Sequence, residues 1–237
     1  MCNEMKVPCI CECMVKAIEE RNEKERHSKK QEKLESLFKS SLMGEKYKGY
    51  KFEDLQSDNK EYEFIMNRCI KYCNVAQDVL EQGIGIYLYG DSGNGKTTLT
   101  ACMANILMQR FYTVVYTSFG EIAKQITATF KNDDTELDFI TKLTNVDFLF
   151  IDDIGTEMVK KNDKDIWLQE KVFEIVNLRY NNNKPIIFTS NYSMRELIID
   201  RGMAHKTVDR IAEVCEPMHL TSGSFRKQKA QERERLF

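Results

Sequence analysis

The stretch Ile84-Gly85-Ile86-Tyr87-Leu88-Tyr89-Gly90-Asp91-Ser92-Gly93-Asn94-Gly95-Lys96-Thr97-Thr98-Leu99-Thr100 leaves little freedom to the fold around it. It reads as a short apolar strand, a glycine-rich turn and the opening of a helix. From Gly90 to Thr97 the turn matches G-x-x-x-x-G-K-[ST] in full. Glycines let the backbone curl until consecutive N–H groups converge on phosphate oxygens. The helix that opens at Lys96 turns its positive end to the same place. Gly90, Asp91, Ser92, Gly93, Asn94, Gly95, Lys96, Thr97 and Thr98 are therefore the expected cradle of a nucleoside triphosphate. Lys96 is placed to meet the β- and γ-phosphates, and Thr97 to offer a hydroxyl to Mg²⁺.

Strand and helix patterns alternate along the chain on either side of this loop. Thr113-Val114-Val115-Tyr116-Thr117, Asp147-Phe148-Leu149-Phe150-Ile151 and Pro185-Ile186-Ile187-Phe188-Thr189 are nearly continuous apolar runs, and Pro217-Met218-His219-Leu220 is a shorter one. Helical patterns are expected over about 59–79, from the loop to about 110, over 119–130, 135–143 and 167–182, with a polar break at Asn132-Asp133-Asp134. In the first of these helices Phe64, Ile65, Cys69, Tyr72 and Ala76 share one face. Strands buried on both sides and separated by helices imply an α/β fold, a parallel sheet covered by helices on both faces. The 237 residues have room for one large domain and an appendage, and 42% hydrophobic residues are ample for a core. A formal net charge of −2 gives no global attraction to nucleic acid, so such binding needs a local patch. The sequence has no apolar run long enough to span a bilayer and no signal-peptide pattern, so a cytoplasmic protein without a membrane partner is expected.

The N-terminus differs in character. Cys2, Cys9, Cys11 and Cys13 crowd the first residues, whereas Cys69, Cys73, Cys102 and Cys215 are scattered and expected to be reduced. Cys9, Cys11 and Cys13 are candidate Zn²⁺ ligands, although the usual pair of C-x-x-C motifs is missing and His27 is the one nearby imidazole. Residues 16–40 mix Lys, Arg and Glu at helical spacing, as an exposed helix laced with ion pairs does. This suits either a solvated linker or a partner-docking helix. The expected division is a cysteine-containing, helical partner-binding segment over 1–45, a catalytic domain over 46–226 and a charged tail over 227–237.

Further groups converge on the loop's chemistry, because ligands of open parallel sheets bind at the carboxyl ends of the strands. Asp152 and Asp153 end the strand after Phe148. Asp152 is the expected partner of Mg²⁺, directly or through water, and Asp153 is placed to orient or deprotonate an attacking water. Asn191, at the tip of the next strand, could bond that water or the γ-phosphate. Phosphoryl transfer also needs positive charge at the γ-phosphate. Arg210 and Arg226 are candidates, though surface arginines more commonly sit in ion pairs.

Gly90–Thr97, Phe150-Ile151-Asp152-Asp153-Ile154-Gly155, Asn177-Leu178-Arg179-Tyr180 and Thr189-Ser190-Asn191, in this order and spacing, resemble the AAA+ ATPases of the DnaC/DnaI helicase-loader family, which includes many phage replication proteins. The resemblance covers roughly 47–226. It implies an AAA+ P-loop fold that binds ATP with Mg²⁺. Asp153 then stands where other AAA+ proteins commonly carry Glu, Asn191 matches sensor 1, and Arg226 resembles sensor 2. Arg210 matches the arginine finger, which acts on ATP held by a neighbouring subunit and so implies self-association. Residues 119–143 correspond to a helical insertion that contacts single-stranded DNA, with Lys124 and Lys131 as candidates. Loaders often begin with a zinc-holding domain that grips the replicative hexameric helicase, and only a fragment of that cysteine pattern is present here. The resemblance thus implies an ATP-hydrolysing loader of a DNA helicase. An IstB-like transposition ATPase shares the same core. A nucleotide-dependent adaptor without hydrolysis would not need the complete set Lys96, Thr97, Asp152, Asp153 and Asn191, and a small-molecule kinase would want lid arginines arranged differently.

Overall fold

A computed structural model describes residues 29–55, 59–128, 133–156, 163–221 and 223. Residues 29–40 form helix α1, followed by two short 3₁₀ turns, Glu45–Tyr47 and Phe52–Asp54. The remaining elements are α2 (Lys60–Asn74), α3 (Ala76–Gln82), β1 (Gly85–Tyr89), α4 (Lys96–Gln109), β2 (Val114–Ser118), α5 (Phe119–Ala128) and α6 (Asp133–Asn145). After them come β3 (Phe148–Asp152), α7 (Asp163–Asn181), β4 (Ile186–Ser190), α8 (Met194–Ile199), α9 (His205–Val214) and β5 (Cys215–His219).

The strands form one parallel sheet in the order β2-β3-β4-β1-β5. Alternate residues of each central strand face two different cores. Ile86, Leu88, Phe148, Phe150 and Ile187 pack with α2 and α4. Tyr87, Leu149, Ile151, Ile186 and Phe188 pack with α5 to α9. Because both faces are covered, the strands read as continuous apolar runs. The connection from β1 runs past β4 and β3 to the far edge, whereas that from β4 runs the other way to β5. The carboxyl ends of β1 and β4 are therefore a topological switch point, where such sheets open a ligand crevice. The parallel α/β sheet expected from the sequence is the one observed.

Several local expectations are corrected. The helix expected over 59–79 is two helices, capped at its start by the Asn59 side chain, which accepts from the N–H groups of Glu61 and Tyr62. It breaks at Val75 because Arg110, at the end of α4, donates to the carbonyl of Cys73 and to Asn74 Oδ1 and so satisfies the end of α2. Ile65, Cys69, Tyr72 and Ala76 are buried as expected, but Phe64 is 62% exposed, since it lies just outside the stripe that meets α4. Asp133 and Asp134 belong to α6 rather than to a break, and α7 begins at Asp163, before Trp167. The four described cysteines, Cys69, Cys73, Cys102 and Cys215, are free and buried. Burial pushes the Cys69 and Cys102 thiols up to about 12, so they remain protonated and unreactive.

Residues 41–43, ahead of the expected boundary at 46, pack on this core. Met43 is buried within it, and the Tyr116 N–H on the outer edge of β2 donates to the Ser41 carbonyl at 2.7 Å. That contact covers part of an edge that would otherwise offer unpaired backbone groups.

Candidate functional site

The loop from Gly90 to Gly95 joins β1 to α4 at the switch point. Its glycines Gly90, Gly93 and Gly95 have φ of 144°, 86° and 97°. Gly90 is further constrained by space: a Cβ there would lie 2.1 Å from the Leu220 carbonyl oxygen. Leu220, just past β5, holds the loop twice, through its N–H to the Tyr89 carbonyl (2.8 Å) and through its own carbonyl, which accepts from Asn94 Nδ2 (2.7 Å). Asn94 is thus a structural member of the loop, fully buried, while Asp91 and Ser92 are exposed at its rim.

Lys96 is buried and sits at the centre. Its Nζ lies within hydrogen-bond distance of the carbonyl oxygens of Gly90 (2.7 Å) and Asp91 (2.8 Å), of Asn94 Oδ1 (3.1 Å) and of Asn191 Oδ1 (3.0 Å), four acceptors that share its three protons. Asn191, at the tip of β4, therefore meets the lysine across the crevice. Four neutral oxygens orient the ammonium without cancelling its charge, which suits it to an anionic phosphate.

One residue on, Thr97 Oγ1 lies 3.1 Å from both carboxylate oxygens of Asp152. Thr189 Oγ1 donates to Asp152 Oδ1 at 2.5 Å and accepts from the Asp153 N–H at 2.9 Å. Thr189 thereby sets the position of both acids. Asp153 has a φ of 57° and is exposed at the crevice. This left-handed backbone turns the chain sharply after β3. Ser190 completes the floor: its hydroxyl donates to the Ile154 carbonyl (2.8 Å) and its own carbonyl accepts from the Gly90 N–H (3.2 Å).

The oxygens of Thr97 and Asp152 are hard donors from two elements, the donor type that suits Mg²⁺ bound with a nucleotide. Burial holds the Asp152 carboxyl above its ordinary value, opposed by the hydrogen bonds from Thr189 and Thr97 and by the Lys96 charge, and reinforced by Asp153. A raised folded-state value means that ionised Asp152 costs the fold stability, a cost relieved as pH falls through that value. Metal binding needs the ionised form. Because that value is raised, Mg²⁺-dependent nucleotide affinity is expected to fall as pH is lowered, beginning at a higher pH than for an ordinary carboxylate, and Asp152→Asn should weaken the Mg²⁺ effect and flatten this pH dependence. Titration of ATP with and without Mg²⁺ checks it.

The structure brings together Lys96, Thr97, Asp152 and Asn191, with Asp153 beside them. It does not bring Arg210 to them within the chain. Arg210 lies on α9 with its guanidinium 4.1 Å from the Tyr180 ring and 3.3 Å from the Glu213 carboxylate, which also accepts from the Tyr180 hydroxyl (2.6 Å). Tyr180 is near the end of α7, which returns to the amino-terminal edge of the sheet, away from the loop. Lys124 is exposed on α5 and 3.7 Å from Glu121. Arg226, Lys131, Cys9, Cys11, Cys13 and the 227–237 tail lie outside the described residues. Among the described residues no cluster of His, Cys, Asp and Glu could hold a metal by itself, and no helix is long and apolar enough to cross a membrane.

Sequence reasoning did not assign Thr189 a role, and its place in the pattern Thr189-Ser190-Asn191 was the available signal. It also gave no role to Arg201, on the loop after α8. Arg201 donates to the carbonyls of Gly155 (2.6 Å) and Thr156 (2.7 Å) and lies 4.7 Å from the Tyr192 ring, tying the turn after Asp153 to the segment after Asn191.

Against known proteins, a family model described as "IstB-like ATP binding protein" matches residues 11–233. The chain belongs to that family. Its relatives include proteins named for replication and phage-element proteins. The phage-like element PBSX protein XkdC of Bacillus subtilis is 33% identical over 133 residues, 55% of this chain and 47% of its own length. The replicative helicase loader DnaI of the same organism is 25% identical over 207 residues, 83% of this chain and 64% of its own. Among solved structures, the DnaC helicase loader superposes with a TM-score of 0.61 at 21% identity, covering 75% of this chain and 100% of that one. At that identity the likeness shows the fold, an AAA+ P-loop NTPase. The chain spans about half the length of several curated relatives it matches. The family description gives ATP as the nucleotide, and the geometry of Lys96, Thr97 and Asp152 suits a nucleoside triphosphate's phosphates.

Proposed function

We propose that this IstB-family protein is an ATP-hydrolysing loader that places a replicative hexameric helicase on single-stranded DNA. The observation that carries the reading is the junction of Lys96 with Asn191 and of Thr97 with Asp152 at one switch point. That junction joins the phosphate loop to the groups that hydrolysis requires. Its breadth of likeness to the helicase loader DnaI supports the choice of partner.

In this mechanism the loop N–H groups and Lys96 would bind the phosphates, and Thr97 and Asp152 would hold Mg²⁺. When bound, the ion neutralises the developing phosphate charge. Asp153, exposed and fixed through its N–H by Thr189, accepts a proton from or orients the attacking water. Asn191 steers that water or the γ-phosphate while keeping Lys96 aligned. Arg210 would act on the ATP of a neighbouring subunit, since its own chain holds it near the opposite edge of the sheet, and Arg226 would act in its own site. Residues 1–45 would engage the helicase, with Cys9, Cys11 and Cys13 as candidate Zn²⁺ ligands, and 46–226 would form the cytoplasmic ATPase. Residues 119–143 would contact the DNA strand.

Arg210→Ala should leave ATP binding within about twofold, because a surface substitution of this kind costs little. It should lose the hydrolysis that rises on assembly by about 10³-fold or more, as loss of an arginine finger does. ATPase rates measured against protein concentration check this, and an unchanged rate in an assembled complex would remove the in-trans role. Affinity capture with the full chain separates the partner classes. Recovery of a hexameric helicase supports the loader, whereas recovery of a transposase in its place overturns it in favour of a transposition ATPase.

A further inference from the structure

One residue touches both the N-terminal segment and the first turn of α4, and the mechanism above does not use it. Tyr116 lies in β2 and is 4% exposed. On its backbone side, its N–H donates to the Ser41 carbonyl at 2.7 Å. Ser41 is itself held: its hydroxyl donates to the Phe38 carbonyl (2.8 Å) and accepts from the Met43 N–H (3.3 Å). The same segment is anchored upstream, where Lys30 and Lys33 of α1 lie 5.3 and 5.4 Å from the centre of the Phe111 ring. Downstream, Asn105 of α4 donates to the carbonyls of Tyr47 (2.9 Å) and Tyr50 (3.0 Å). The Tyr47 ring meets the Tyr116 ring at 6.3 Å.

On its side-chain end, the Tyr116 hydroxyl lies 3.0 Å from Thr100 Oγ1 and 3.3 Å from the Thr97 carbonyl. Thr100 Oγ1 in turn reaches the carbonyls of Lys96 (3.1 Å) and Thr97 (3.2 Å). A tyrosine hydroxyl has one proton, as does threonine's. The two therefore form a short relay in which Tyr116 donates to Thr100 and Thr100 to the backbone of Lys96 or Thr97, or Tyr116 donates to Thr97 directly. The ring between these ends is clamped against Phe150 (5.6 Å, 21°), two residues before Asp152. A ring held on one side by residues 41–47 and on the other by α4 and β3 has little room to shift without moving both.

We infer that Tyr116 is a positioning residue through which the seating of residues 41–50 sets the first turn of α4, and with it the Thr97 hydroxyl beside Asp152. This rests on the reading of Thr97 and Asp152 as the Mg²⁺–nucleotide site. Its consequence is regulatory: a partner that grips the chain ahead of Ser41 and shifts this segment changes the affinity for Mg²⁺–ATP, and by linkage the nucleotide changes the affinity for that partner by the same factor.

The test uses the full chain and a non-hydrolysable ATP analogue, AMP-PNP, titrated with Mg²⁺ and with EDTA. Tyr116→Phe keeps the ring and removes only the hydroxyl. It should weaken Mg²⁺–AMP-PNP binding about fivefold, the factor equivalent to one neutral hydrogen bond of about 1 kcal/mol, and leave binding in EDTA nearly unchanged. Tyr47→Leu should weaken Mg²⁺–AMP-PNP binding about threefold in the wild-type background and add almost nothing in the Tyr116→Phe background. A merely structural tyrosine would lower the melting temperature yet leave the ratio of Mg²⁺ to EDTA affinities unmoved, and that result overturns the inference. So does a Tyr47→Leu effect of equal size in both backgrounds. If Tyr47→Leu does not fold, the Mg²⁺-to-EDTA ratio for Tyr116→Phe decides alone. Failure of the underlying site is distinguishable, because wild-type protein would then bind AMP-PNP no better with Mg²⁺ than in EDTA.

Discussion

Lys96→Ala should abolish measurable ATP turnover, a loss of roughly 10²–10³-fold or more, the scale found when one preorganised charge or donor at a developing anion is removed. In the wild-type protein the Lys96 ammonium is aimed by the Gly90 and Asp91 carbonyls, Asn94 Oδ1 and Asn191 Oδ1. Alanine removes the charge and leaves those oxygens turned toward the place of the phosphates, which they repel. The fold should survive, because the loop is held independently by Leu220 through Asn94 and Tyr89, and its rim residues Asp91 and Ser92 are exposed to water. Circular dichroism with an unchanged spectrum and nucleotide titration with no saturable binding are the paired readouts. Undiminished hydrolysis would place the reaction elsewhere.

Arg179→Met should unfold the protein more readily by at least about 3 kcal/mol, since it leaves several buried acceptors unmatched at once. For a chain of this size that lowers the melting temperature by roughly 6–12 °C. Arg179 is fully buried, and its guanidinium donates to the carbonyls of Leu143, Thr144 and Val146 at the end of α6, Asp147 before β3 and Pro185 before β4. Burial pulls its pKa below the ordinary value, which measures the desolvation that the ring of carbonyls offsets. Arg179→Lys keeps the charge, but a single ammonium cannot span both the α6 end and the β4 start, so it should recover only part of the loss. Urea unfolding of the three proteins checks this. A change within about 0.5 kcal/mol, the scale of a surface substitution, would contradict this bracing role.

These two residues mark the limits of what the sequence reveals. Lys96 is legible because everything that fixes its role is local: a strand, glycines at set spacing, and a helix start. The acids at the end of β3 are legible for the same reason, a continuous apolar strand followed by a polar turn. Arg179 enters the sequence reading only as part of the stretch Asn177-Leu178-Arg179-Tyr180, with no role of its own, and only the meeting of α6, β3 and β4 around it shows what it does. Thr189 is equally hidden. Its hydroxyl matters because Asp152 and Asp153 come alongside it from another strand, a juxtaposition set by the β3–β4 register in which Ile151 faces Phe188. The break at Val75 depends on Arg110 from α4, and the exposure of Phe64 on how α2 happens to roll against α4. The contact of Ser41 with Tyr116 joins segments far apart in sequence, so no local pattern announces it.

The most direct measurement of the loader reading is transfer of a helicase to DNA. The full chain, the hexameric replicative helicase captured with it and a closed circle of single-stranded DNA are incubated with Mg²⁺–ATP, and helicase retained on the circle is measured by gel filtration. Helicase should remain on the circle with the wild-type chain and ATP, and fall to background without ATP or with Lys96→Ala. Equal retention by Lys96→Ala, or none with the wild-type chain and ATP, would contradict an ATP-dependent helicase loader.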